Sequence, residues 1–341
     1  MFGRGLGGIE QAFVDYCLAL TKTGNKVTAL LHPKAAIEKI LTEKCGNNLQ
    51  IIKTGNLGQW DFFAVLKLKK ILKKLHPDAI ITHGNRATVL LKKAAGSKFP
   101  VIGVAHNYSI KKLTGLAGVF TITKQLRDLV IKAGQPAEKT FHIPNMIDCS
   151  AISPNHAANT PPIIGTMGRF VKKKGFDNFL FALKELNNRN VNFRAVIGGG
   201  GEEEKKLKEL REQLQLNDLV EFPGWVADKN NFFCNIDIFC LPSLHEPFGI
   251  VLLEAFCYGV PTVTTDSEGP SEIATNNVDA LVAEKTDIAA MAGALEELLK
   301  NPEKARMLAE NARNNVKEKY DIKIVGGLIA QALDKITSQR I

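Results

Sequence analysis

Asp237-Ile-Phe-Cys-Leu-Pro-Ser-Leu-His-Glu-Pro-Phe-Gly-Ile-Val-Leu-Leu-Glu-Ala-Phe-Cys-Tyr-Gly-Val-Pro-Thr-Val-Thr-Thr-Asp266 is the stretch on which the fold turns. Ile238 to Leu241 is an apolar run ended by Pro242 and Ser243, which predicts a buried strand and its exit. Ile250 to Tyr258 has helical spacing, with Pro247 and Gly249 before it and Gly259 after it. Val260 to Thr265 is rich in β-branched residues and reads as the next strand. Strand, loop, helix and strand in that order belong to open parallel sheets, which bind ligands at the carboxyl ends of their strands.

The chemistry of this stretch lies in Glu246 and Glu254. Along a helix rising about 1.5 Å per residue, their spacing puts them roughly 12 Å apart. Glu246 then stands at the helix mouth and Glu254 two turns along. The N–H groups around Phe248, Gly249, Ile250 and Val251 form a place for an anion between them. A nucleotide-diphosphate sugar has the matching layout, with sugar hydroxyls, diphosphate and ribose hydroxyls in line. On spacing alone, one capping glutamate and one exposed helix glutamate explain the pattern equally well.

The whole chain has 341 residues, more than one core usually organises, so two domains are expected. Its 45% apolar and 23% charged content is that of a soluble α/β protein. No stretch has the length of a membrane span, and Met1 to Glu10 carries no signal-peptide pattern. Cys17, Cys45, Cys149, Cys234, Cys240 and Cys257 form no CxxC pair and lie at no metal-ligand spacing. They read as reduced thiols of a cytoplasmic enzyme. The net charge of +9 is lopsided: residues 1–150 hold 22 Lys and Arg against 9 Asp and Glu. A basic half points to an anionic partner. No nucleic-acid fold signature accompanies it, so nucleic acid is set aside in favour of a membrane surface.

Glu246-Pro-Phe-Gly with Glu254 eight positions on, then Ala255, Gly259, Pro261 and the Asp266 to Ile273 segment, resembles family 4 of the retaining GT-B glycosyltransferases. The resemblance implies an α/β fold of two Rossmann-like domains facing across a cleft. Residues 1–150, with 321–341 crossing back, would form the acceptor side, and residues 160–320 would hold the nucleotide sugar. It implies a nucleotide-diphosphate sugar as donor substrate and no separate cofactor. No DxD motif is present, so this reading requires no metal.

Gly7-Gly8-Ile9-Glu10 resembles the family's first βα loop, which places Gly7 and Gly8 near the donor. The strand expected before that loop is missing from Met1 to Leu6, so the first sheet is expected to lack it, through a late start codon or a damaged variant. Lys26 to Leu31, Leu49 to Thr54, Pro77 to His83, Phe99 to Asn107 and Gly118 to Thr123 read as strands. Trp60 to Leu75 is amphipathic, with Lys67, Lys69, Lys70, Lys73 and Lys74 on one face. It predicts either a sheet-docked helix with solvated lysines or a helix lying on anionic lipid. His106, at the end of its strand, matches the family position near the acceptor; His83 has weaker support. In the interdomain segment Met146 replaces a glycine, and would be strained if the backbone there needs φ > 0. Ser150 to Pro162 reads as the linker.

In the second domain the match places Arg169 and Lys174 on the donor diphosphate, where fixed cations stabilise a departing anion. Val191 to Ile197 predicts a strand, and the glycines from Gly198 to Gly201 a loop facing the nucleotide. Val220 to Val226 matches the segment lying against the base; Trp225 there is either a stacking platform or a core aromatic, with Val226 beside it. Glu268 stands where a glycine is commoner.

The expected function is therefore retaining transfer of a sugar to an envelope or lipid-linked glycan acceptor, lipopolysaccharide-type included. The expected place is the cytoplasm, with peripheral attachment to the inner face of the cytoplasmic membrane. Glu246, His106, Arg169 and Lys174 are the candidate catalytic residues. Other readings stand beside it: a non-catalytic or truncated GT-B protein that binds a membrane or partner, and a sugar-nucleotide epimerase. A glycoside hydrolase would hold its two carboxylates about 5–5.5 Å or 6.5–9.5 Å apart, which the helical offset of Glu246 and Glu254 fits poorly.

Overall fold

A computed structural model describes residues 1–152 and 158–338. The linker expected over Ser150 to Pro162 and the extreme C-terminus therefore lie partly outside the described residues. The chain divides into two compact units, Met1–Ile147 with Tyr320–Ile341, and Asp148–Lys319.

The Asp148–Lys319 unit is a six-stranded parallel sheet. In chain order the first unit holds β1 (Val27–Leu31), β2 (Leu49–Lys53), β3 (Ile80–His83), β4 (Val101–Ala105), β5 (Gly118–Thr121) and β6 (Thr140–His142). The second holds β7 (Ile163–Arg169), β8 (Arg194–Gly200), β9 (Val220–Gly224), β10 (Ile238–Leu241), β11 (Thr262–Thr265) and β12 (Leu281–Ala283). The sheet of the second unit runs β12-β11-β10-β7-β8-β9. Apolar strands such as Ile238–Leu241 are buried on both faces because helices cover each side, and Phe179, Leu183, Val263, Leu295 and Leu308 fill the core between layers. Strand order reverses between β7 and β10. The C-terminal ends of these two strands therefore diverge and open a crevice, the place where such sheets bind ligands.

The glycines expected to form a loop are part of β8: Gly198, Gly199 and Gly200 pair with Met167, Gly168 and Arg169 of β7. At Gly199 a β-carbon would lie 1.9 Å from the Gly168 carbonyl oxygen. The run is thus a place of close strand approach as well as a turn signal.

In the first unit the parallel strands form two separate sheets, β1-β2 and β3-β4-β5-β6. Among the described residues no strand precedes helix Gly8–Lys22. Phe2 is buried among Leu30, Ile80 and Ala105, in the core common to both sheets. Helix Gly8–Lys22 packs against helix Ile322–Ser338, where Gly326 lies against Ala19. Ile336 of the latter helix covers Gly118 of β5.

Two expectations are corrected. Met146 is not strained: it is buried at 1% exposure and is not among the positive-φ residues, so its side chain serves packing. Cys149 and Cys257 are joined by a disulfide with Cα atoms 5.6 Å apart. The chain brings together two cysteines 108 residues apart, a proximity that spacing along the sequence does not reveal. Of the four free cysteines, Cys17, Cys45 and Cys240 are buried.

Candidate functional site

The crevice between β7 and β10 is built by two loops. After β7 the chain makes a short turn over Lys172–Lys174 and passes through Gly175, at φ +63. A β-carbon on Gly175 would sit 2.1 Å from the Pro242 carbonyl oxygen, so only glycine lets this turn lie on the chain leaving β10. The turn is fastened there: the N–H groups of Leu244 and His245 donate to the Lys173 carbonyl at 2.9 and 3.1 Å. Lys174 is thereby delivered to Glu246, with which it forms an ion pair. Arg169, the last residue of β7, is exposed beside Gly200.

Glu246 is held from the other side by the loop after β11. The Glu268 carboxylate accepts from the Glu246 backbone N–H at 3.1 Å and pairs with His245 Nδ1 at 2.9 Å. Burial works against charge on Glu268, yet its hydrogen bonds from His245 and the backbone keep its carboxyl below the usual range. The Gly269 N–H donates to the Glu246 carbonyl at 2.8 Å, and a β-carbon at Gly269 would lie 2.2 Å from Phe248 Cα. The residue that departs from the family pattern at position 268 is thus a brace for Glu246.

Gly249, at φ +98, starts helix Ile250–Tyr258, whose N-terminus opens at the crevice. Phe248 is buried beneath it. Glu254 is only 8% exposed, as is Glu246, and its Oε1 accepts from Lys229 Nζ at 2.5 Å. An exposed helix glutamate is therefore excluded: two carboxylates are buried, and each faces a lysine. Trp225 is 64% exposed, which removes the core-aromatic reading. Val226 lies against Gly198, where its Cγ2 would be 2.4 Å from an added β-carbon. Arg169, Lys174, Gly198, Trp225, Val226, Glu246, Phe248, Gly249, Ile250, Val251 and Glu254 all belong to the Asp148–Lys319 unit. Gly7, Gly8 and His106 belong to the other.

In that first unit Gly7 caps helix Gly8–Lys22. His106 follows β4, and its Nε2 lies 2.9 Å from Nδ1 of His83 at the end of β3. Phe13 and Tyr16 of helix Gly8–Lys22 pack edge-on against the His83 ring. Burial first, and His106 second, hold His83 well below its ordinary pKa; burial holds His106 down to about 4. Two neutral imidazoles then share one proton donor and one acceptor. His83, only weakly marked in the sequence, is what fixes the His106 ring.

Helix Phe62–Leu75 is docked in its unit with its lysines turned outward. Ala64, Leu68 and Leu72 are buried in the core of the unit. Lys67, Lys69, Lys70, Lys73 and Lys74 are exposed. So are Leu57, Trp60, Phe62 and Phe63, at 99%, 72%, 66% and 81%. Asp61 orders this apolar knuckle by accepting from the N–H groups of Leu57 and Ala64. No helix among the described residues is long and apolar enough to cross a membrane.

Two family models match adjoining parts of the chain: "Glycosyltransferase Family 4" over residues 6–151 and "Glycosyl transferases group 1" over residues 150–315. The lipopolysaccharide core biosynthesis glycosyltransferase LpsD of Rhizobium meliloti is 27% identical over 98% of this chain and 97% of its own. LpsE of the same organism is 26% identical over 92% of each. Among solved structures, Anabaena HepE in complex with UDP-glucose superposes with a TM-score of 0.83 at 20% identity, over 98% of both chains. The lipopolysaccharide outer core galactosyltransferase WaaB gives 0.78 at 16% identity over 99% of both.

Proposed function

Because the chain belongs to glycosyltransferase family 4, the glycosyl transferases group 1, whose members are retaining enzymes of the GT-B fold, we propose that it moves a sugar from a nucleotide-diphosphate sugar to a lipid-linked or envelope glycan of the lipopolysaccharide core type. The observation that carries this reading is the pair of buried carboxylates flanking the mouth of helix Ile250–Tyr258, with Lys174 and exposed Arg169 beside it. The donor diphosphate lies at the helix N-terminus against Arg169 and Lys174, Glu246 takes the sugar hydroxyls and Glu254 the ribose. Gly198, Trp225 and Val226 flank the base.

In the reaction the bond from the anomeric carbon to the diphosphate oxygen breaks, and the nucleoside diphosphate leaves with the electron pair. The acceptor hydroxyl attacks the same face, giving its proton to the departing oxygen, so configuration is kept. Arg169, Lys174 and the helix N-terminus stabilise the leaving anion. His106, neutral and held by His83, is the acceptor-side candidate of the first unit. Names of relatives support donor and acceptor class: HepE was crystallised with UDP-glucose, and LpsD and LpsE act in lipopolysaccharide core biosynthesis.

The exposed Leu57, Trp60, Phe62 and Phe63 beside five lysines support a peripheral place on an anionic membrane face, each lysine near the surface contributing about 1 kcal/mol. Thermal shift with a panel of UDP-, ADP- and GDP-sugars tests the donor reading. A cognate donor at a hundredfold excess over its Kd adds about 2.7 kcal/mol, and a chain stabilised by none of them is not a transferase. Co-sedimentation with phosphatidylcholine vesicles, with and without phosphatidylglycerol, tests the membrane reading. Binding is expected with the anionic lipid only and is lost in a Trp60→Ser/Phe63→Ser variant.

A further inference from the structure

A second site lies wholly within the Met1–Ile147 unit. Beyond the ends of β1 and β3 is a cavity of 580 Å³, in the size range of small-molecule sites. Asn56 lines it. Its side chain belongs to a residue only 7% exposed, and neither Oδ1 nor Nδ2 has a hydrogen-bond partner. A buried amide with both functions unused is costly unless something pairs with it, and nothing in the fold does. One carbonyl acceptor and one NH₂ donor side by side match neighbouring hydroxyls of a sugar ring.

The rest of the wall is positive. Arg4 and Arg86 line the cavity, both exposed, and neither makes an ion pair among the described residues. Their field, with that of Lys34, adds to burial in lowering the pKa of neighbouring His32. Glu10 is the one acidic lining residue, packed against Gly3, so the two arginines outnumber it. Two unpaired guanidinium groups offer forked donors to an oxyanion. Two further residues tie the cavity to its surroundings: His83, which holds His106, is part of the wall, and fully exposed Leu57 forms the rim on the side of the apolar knuckle.

We propose that this cavity binds an acceptor sugar bearing an oxyanion, phosphate or carboxylate, with its ring hydroxyls on Asn56 and its charge on Arg4 and Arg86. The assignment rests on the transferase reading above and deepens it: the acceptor is an acidic sugar of a lipid-linked chain, presented past Leu57 from the membrane side.

Isothermal titration of the full chain with glucose 6-phosphate, glucuronate, glucose and inorganic phosphate tests it. At least one charged sugar is expected to bind ten times more tightly than both glucose and phosphate. The better of the two charged sugars identifies phosphate or carboxylate as the natural charge. Arg86→Gln, at an exposed position, is expected to weaken that binding at least tenfold. Asn56→Leu, which exchanges an unpaired buried amide for an apolar group of similar size, is expected to weaken it as much while leaving Tm unchanged or higher. The proposal is overturned if neither charged sugar exceeds glucose, or if both variants bind like the parent. A parallel thermal shift with UDP-glucose and the other donors separates the two readings. Stabilisation by a donor without binding of either charged sugar sinks only the acceptor site. Sugar binding without any donor response sinks the transferase and leaves the cavity.

Discussion

Lys174 is paired with Glu246 in the fold and is proposed to hold the donor diphosphate, and two substitutions separate these roles. Lys174→Ala leaves the Glu246 carboxylate, 8% exposed, without its counter-charge. Urea unfolding is expected to show a loss of about 1–3 kcal/mol. Adding Glu246→Gln removes the stranded charge and is expected to restore most of that stability while donor binding stays lost. A double variant as unstable as the single one contradicts the pairing. The histidine pair makes a pH prediction. His106 is held at about 4, below an unfolded value near 6.5, and is neutral in the fold. Between those values the unfolded chain binds more protons, so stability falls as pH drops from about 6.5 toward 4. A shift of this size on a part-exposed ring is worth about 2 kcal/mol. His106→Gln is expected to make that limb of the stability profile, measured by urea melts at pH 7.5 and 5, shallower without abolishing it, because burial still holds His83 down. At this scale the sequence was legible where a motif carried the residue, as for Glu246 and Glu254. It was silent for Lys229, which meets Glu254 from another element, and for Asn56, which is marked only by the partners it lacks. Glu268 was visible as a departure, but its bracing role depends on a loop 22 residues away in the chain coming back beside Glu246.

The strand, helix and strand of the opening stretch emerge at Ile238–Leu241, Ile250–Tyr258 and Thr262–Thr265, because periodicity, Gly249 and Gly259 all specify the same local structure. Gly198 to Gly200 misled for the converse reason: glycine marks both turns and close strand contacts, and only the pairing with β7 distinguishes them. The disulfide belongs to this scale as well. It fastens Cys149, just after the first unit ends, to helix Ile250–Tyr258, which carries Glu254. For a loop of this length the chain-entropy model gives about 4–5 kcal/mol, an upper figure. Reduction, or Cys149→Ser, is expected to lower Tm by several degrees and to leave donor affinity within threefold. Thiol titration under denaturing conditions, finding four reactive cysteines without reductant and six with it, checks the bond. Equal counts in both conditions remove it.

Seen as a whole, the chain's charge is divided as its structure is. Residues 1–150 carry the basic excess and also the lysine helix, the apolar knuckle and the cavity with its two arginines. Raising salt from 0.05 to 0.5 M is therefore expected to release the protein from anionic vesicles, while donor stabilisation in the other unit changes little. The two-sheet arrangement of the first unit also sets its rigidity. No ladder joins β1-β2 to β3-β6, so the smaller pair opens with fewer bonds to break, and hydrogen exchange is expected to be faster at Ala29 and Ile51 than at Val104 and Phe120. Equal protection would mean that the core around Phe2 couples the halves as tightly as hydrogen bonds do. Strands β1 and β3 are each laddered to a neighbour on one side only, yet their margins are closed: the Leu30 carbonyl accepts from the Met1 nitrogen at 3.0 Å, and Phe2, Leu30 and Ile80 are buried together. A charge at position 2 should therefore part the two sheets: Phe2→Asp is expected to lower Tm and to speed exchange at Ala29 and Ile51, and unchanged values would mean that this ring is not what joins them.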